Sequence, residues 1–159
     1  MGQLNLGNGA NFVGGSGGIL SDSPKGTVLQ TVYATTTTEL STSNSSYQTW
    51  FGVSWTPQQT NSHKIITVNA IRTSLTGTDF EANFLISDGS NVTDRWRMYN
   101  GTDQTMYMAP CMSWYWTQSH TAGASVSFSA QARDGNTNGT VTWGDNGSNS
   151  YIVVQEIAQ

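Results

Sequence analysis

Charge is scarce in this sequence. Asp, Glu, Lys and Arg make up 10% of its 159 residues, against about 25% in an ordinary soluble domain. Six residues are basic and ten acidic, giving a net charge of −4. Nucleic-acid binding depends on Lys and Arg that neutralise phosphates, so this balance argues against it. Cysteine is nearly absent. Cys111 stands alone, which excludes an intrachain disulfide and fits a reducing compartment. A leftover thiol can pair between chains, but its ordinary role is that of a small buried hydrophobe. No apolar run approaches the ~20 residues of a spanning helix, so no membrane insertion is expected. The N-terminus "MGQLNLGNGANFVGGSGG" has neither the basic start nor the compact apolar stretch of a secretory signal.

Reactive constellations are also lacking. His63 and His120 are the only imidazoles, and neither has a second ligand at metal spacing. They read as surface or turn residues. Asp79 and Glu81 are two apart and share one strand face, where a solvated role outweighs an acid–base pair or a cation site. "DGNTNG" and "DNGSN" lack the length, alternating oxygens and terminal Glu of a calcium loop and read as hairpin turns. The one Ser within a Gly-rich context, in "GGSGG", follows no strand and is no nucleophile elbow. No Gly-rich phosphate loop opens a helix. No catalytic residue, cofactor or metal is therefore expected.

What the chain holds in quantity is hydroxyls, amides and aromatics. Thr, Ser and Asn number 54, about a third of the residues, and β-branched Thr suits strands. "ASVSFSAQA" puts Ala124, Val126, Phe128, Ala130 and Ala132 on one face and Ser125, Ser127, Ser129 and Gln131 on the other. That is a strand with a dry and a wet side. "DFEANFLIS" repeats the pattern, with Phe80, Ala82, Phe84 and Ile86 inward and Glu81 and Asn83 outward. "HKIITVNAIR" groups Ile66, Val68 and Ala70. "YIVVQEI" is apolar on both faces in its middle, as in an interior strand or one covered by a partner. Asp88-Gly89, Asn100-Gly101, Asn138-Gly139 and Asn146-Gly147 supply turns. Eight or nine short strands at regular spacing predict an all-β fold, an antiparallel β-sandwich of jelly-roll type. It spans residues 27–159, preceded by a Gly-rich extended arm over residues 1–26. Isolated apolar residues in the arm, Leu4, Leu6, Phe12, Val13, Ile19 and Leu20, suit either docking on a neighbour or a disordered tail.

The aromatic segment "MYMAPCMSWYW" is the most informative. Met112, Trp114 and Trp116 share a parity and form a candidate core face. Trp96, Tyr107, Trp114, Tyr115 and Trp116 are otherwise candidates for a subunit interface or a glycan-stacking platform. In "DRWRMY", Arg95 and Arg97 lie on one face and Trp96 on the other, again an interface composition.

The stretch "GTVLQTVYATTTTELSTSNSSYQTWFGVSWTPQQTNSHKIITVNA" resembles a family of bacteriophage virion β-domains found at tail-fibre tips and as small capsid proteins. The resemblance rests on residues 26–30 ("GTVLQ"), the Thr/Ser-rich arch of residues 35–46, the strand ending in Thr56-Pro57, the Lys64–Val68 strand and "VVQEI" at residues 153–157. It covers residues 26–157, most weakly in the middle third. It implies a β-sandwich, usually trimeric, without catalytic role. The short arm after Met1 points within that family to a capsid decoration protein, of cement or knob type, on the virion. Its partners would be itself as a homotrimer and the major capsid protein or other virion proteins, with the arm as shell contact. The alternative is a short tail-fibre or tail-tip module that binds a host surface glycan.

Overall fold

A computed structural model describes residues 4–5, 11–12, 23–144, 147 and 149–159. The expected all-β antiparallel sandwich is what they form. In the arm, β1 (Leu4–Asn5) pairs with β2 (Asn11–Phe12) as a small antiparallel ribbon. The side chains of Leu4 and Phe12, and the whole of Leu6, Val13, Ile19 and Leu20, lie outside the described residues.

The sandwich begins with β3 (Val28–Thr36), β4 (Leu40–Thr42) and β5 (Gln48–Trp55). Then come β6 (His63–Ala70), β7 (Thr73–Thr76), β8 (Phe80–Ser87) and β9 (Trp96–Asn100). The chain closes through β10 (Met106–Met108), β11 (Cys111–Trp116), β12 (Val126–Asp134), β13 (Thr140–Trp143) and β14 (Ser150–Ile157). They build three four-stranded sheets, ordered β11-β6-β14-β3, β10-β7-β13-β4 and β5-β12-β8-β9.

The first two sheets have the same order because they share strands. β3 runs on into β4, β6 into β7, β10 into β11 and β13 into β14, each across a break at the same level. Local chemistry explains the breaks. Pro110 has no N–H to give a ladder, but its carbonyl still accepts from Ala70 N at 3.0 Å. Gly144 has φ 71°, and a Cβ there would stand 2.5 Å from Trp50 Cζ2. The twelve sandwich segments are thus eight strands, four of them bent. One bent sheet faces the sheet β5-β12-β8-β9.

The dry faces meet between these layers. β12 buries Phe128, Ala130 and Ala132, and β8 buries Phe80, Ala82, Phe84 and Ile86. Ile66, Val68, Met112, Ile152 and Val154 come from the opposing sheet. At one end Trp143 stacks on Trp50 (centroids 4.5 Å apart) and meets Phe84 edge-on. At the other, Trp55 and Trp116 flank Phe128 at 5.8 and 5.2 Å. β14 is interior, paired with β6 and β3, as its sequence predicts.

Three expectations need correction. Asn83, placed on the wet face, is fully buried. Its strand is interior, and Arg133 and Arg97 stand beside it in register on either side. "DGNTNG" is a turn but not a hairpin, since β12 and β13 belong to opposite layers. The Asp134 carboxylate organises that crossing, accepting from Asn136 N, Thr137 N and Gly139 N at 2.9, 2.7 and 3.3 Å. β13 and β14, on either side of "DNGSN", do not pair with each other, so no hairpin forms there, and Asp145, Asn146 and Ser148 lie outside the described residues. Asp88-Gly89 does turn a hairpin, with Gly89 at φ 91° and Ser87 bridged to Val92.

Phe128→Ala is expected to lower unfolding free energy by about 3–5 kcal/mol in urea titrations. Ser127→Ala, one position along the same strand, is expected to change it by less than about 0.5 kcal/mol.

Candidate functional site

The outward positions of the sheet β11-β6-β14-β3 carry no acid and no basic Lys or Arg. Register aligns them in rows. Tyr115, Ile65, Gln155 and Thr31 form one row. Ser113, Thr67, Val153 and Tyr33 form the next. Cys111, Asn69, Tyr151 and Thr35 form a third. Tyr33 is 72% and Tyr115 61% exposed, with Ile65 and Tyr151 also open. Val28 and Ile157 lie opposite each other at one end of the sheet. Thr67 Oγ1 and Ser113 Oγ bond across the strands at 2.8 Å, and His63 Nδ1 bonds the Tyr115 hydroxyl.

Strand spacing of about 4.8 Å and rise of about 3.3 Å per residue give this face a footprint of about 500 Å². This face, with exposed rings among hydroxyls and amides and with no acid, Lys or Arg, is the candidate association surface of the sandwich. The opposite outer face is different: its Ser ladder carries Arg133, Glu81 and Arg97. Glu81 Oε1 there accepts from Asn83 Nδ2 at 3.0 Å and lies 3.8 Å from Arg97 Nε.

The aromatics named from sequence divide cleanly. Trp114 and Trp116 are buried, so neither offers a stacking face; Trp114 Nε1 instead donates to Asp94 O at 2.8 Å. Tyr107 is exposed beneath the Arg72 guanidinium, 4.6 Å from ring centroid to Cζ. Tyr115 belongs to the uncharged face. Trp96 is 44% exposed on edge strand β9 and meets Trp114 edge-on at 6.4 Å. On the other face of the same strand Tyr99 donates to Asp79 Oδ1 at 2.7 Å, a bond that raises the Tyr99 pKa. Cys111, expected inside, is exposed. It falls at the parity of Ser113 and Tyr115, while Met112, Trp114 and Trp116 take the inward one.

Sequence reasoning missed a polar cluster at one end of the sandwich. Lys64 and Glu156, both fully buried, face each other across the β6–β14 ladder. Lys64 Nζ donates to Ser62 O at 2.7 Å and Gln118 O at 2.8 Å, above the Trp55 ring. Burial lowers its pKa to about 8, against the opposing pull of Glu156 and Asp88. The Glu156 carboxylate accepts from Gln58 N and Gln59 N at 3.0 Å and from Gln30 Nε2 at 2.6 Å. It thereby ties the loop after Pro57 to two strands.

His120 was expected on a surface loop. Its side chain is only 9% exposed, packed against Trp55, Trp116 and Phe128. Its Nε2 lies 3.0 Å from Asp88 Oδ2. Burial pushes the Asp88 pKa up, but N–H donors from Asn91 and Ser90, with His120, hold it below the usual value. The Asp88–His120 contact pins the loop closing this end, while His120 Nδ1 is buried without a hydrogen-bond partner.

Among the described residues, no three His, Cys, Asp or Glu side chains gather as a metal site. No protein-family model matches the chain, and no curated protein matches it.

Lys64 binds fewer protons folded than unfolded between about pH 8 and pH 10.5. Stability is therefore expected to rise with pH across that window, and Lys64→Met to abolish the rise in denaturant titrations. Glu156→Gln, which turns one acceptor oxygen into a donor facing backbone N–H groups, is expected to cost about 1–3 kcal/mol.

Proposed function

We propose that this protein is a non-enzymatic structural protein of a bacteriophage virion, acting as a capsid decoration protein that ornaments or stabilises the head. The observation that carries the reading is the uncharged outer face of β11-β6-β14-β3, a broad patch suited to association and not to chemistry. The resemblance at residues 26–157 supports the virion setting. Strand order supports the jelly-roll form within it. Counting the bent strands as single units a to h, the layers run f-c-h-a and b-g-d-e. Every connection except d to e crosses between layers, as two interlocked Greek keys require. The arm is proposed as the anchor to the shell.

A second reading is a tail-tip module that binds host glycan. Edge strand β9 favours it, because it exposes Trp96 at one parity and Tyr99 with Arg97 at the other, and aromatic rings and Arg are the side chains that dominate recognition sites.

Counting and locating the chain in purified particles separates the two. Decoration predicts many copies spread over the head, and loss of attachment when residues 1–20 are deleted. A few copies confined to the tail, with adsorption abolished by Trp96→Ala, would replace the first reading by the second.

A further inference from the structure

We propose that the uncharged face of β11-β6-β14-β3 is the contact between two copies of this chain, packed sheet against sheet about a two-fold axis. The inference rests on reading that face as an association surface, and it names the occupant.

The argument begins with charge. The chain carries −4 overall, so copies repel at long range, and a contact where neither presents a charge adds nothing to that repulsion. The outer rows of this sheet satisfy that condition, and the Ser-rich outer face, with Glu81, Arg97 and Arg133, does not. An acidic or basic partner would find no counter-charge on the rows, whereas the same face on a second copy offers matching rings, methyls and hydroxyls.

Geometry sets the symmetry. A face that meets itself is isologous, so the assembly closes at two. Turning the second copy about an axis along the strands lays its β11 over β3. Tyr115 of each copy then comes against the Tyr33 side of the other, with Ile65 and Val153 near the centre. Two footprints of about 500 Å² give about 1,000 Å² in total, the size at which specific interfaces begin. Association is thus expected to be reversible and concentration-dependent. The pair differs from the trimer that the family resemblance implies, since a three-fold ring is heterologous and would set this face against a different surface.

Sedimentation velocity on the full chain tests this. The wild type should move from 17.1 kDa to twice that mass as concentration rises through the micromolar range. The pair should persist when salt is raised, because it contains no ion pair. Tyr33→Glu and Ile65→Glu should each remain monomeric over the same range with unchanged circular dichroism. A strict monomer, a trimer, or a dimer indifferent to both substitutions would overturn the proposal. Particle attachment measured in parallel keeps this distinct from the functional reading. A monomer that still decorates heads defeats only the pairing, and a dimer that never joins particles defeats only the virion role.

Discussion

The structure depends on one constraint: a pleated strand has two faces, and each layer must bury one of them. Phe80, Phe84, Phe128, Trp55, Trp116 and Trp143 fill the space between the layers. Bending four of the eight strands lets a single sheet wrap both ends of this aromatic seam. The chain thereby encloses a large core with few charges and no disulfide. The outer faces then follow from composition. With Thr, Ser and Asn supplying a third of the residues, the wet sides become hydroxyl ladders, and one of them carries no ionic side chain.

The two ends of the sandwich differ in how they are held. The Trp50–Trp143 end is closed by ring stacking and by the Trp50 Nε1 bond to Thr38 O at 2.6 Å. The other end is closed by polar groups withdrawn from water: Lys64, Glu156, and the Asp88–His120 pair. Removing one member of such a set leaves its partners buried and unmatched, so this end should be the less tolerant of substitution. It also fixes β6 and β14, the two middle strands of the uncharged face, in register with the loops that cap them.

Much of the fold was legible because period-two alternation is a local signal. In β12 and β11 the inward residues are those the sequence marks as dry, including Trp114 and Trp116. Which strands pair, and that "DGNTNG" crosses between layers, depends on contacts far apart in the chain and leaves no trace in spacing. Asp88 and His120 are likewise joined only by the fold. The Lys64–Glu156 cluster was partly visible. Lys64 shares its parity with Ile66, Val68 and Ala70, and Glu156 with Ile152 and Val154, so both charges sit on dry faces. Charge scarcity hid the point, since a lone Lys at a strand start reads as solvated. The uncharged face escaped sequence reasoning because it is assembled from four separated segments, each unremarkable alone.

Radical footprinting of tyrosines, the chain diluted to monomer against the intact particle, tests the central claim of association through that face most directly. The account predicts that Tyr33, Tyr115 and Tyr151 lose reactivity on assembly while Tyr99 and Tyr107 keep theirs. Protection of Tyr99 and Tyr107 with Tyr33, Tyr115 and Tyr151 unchanged would contradict it.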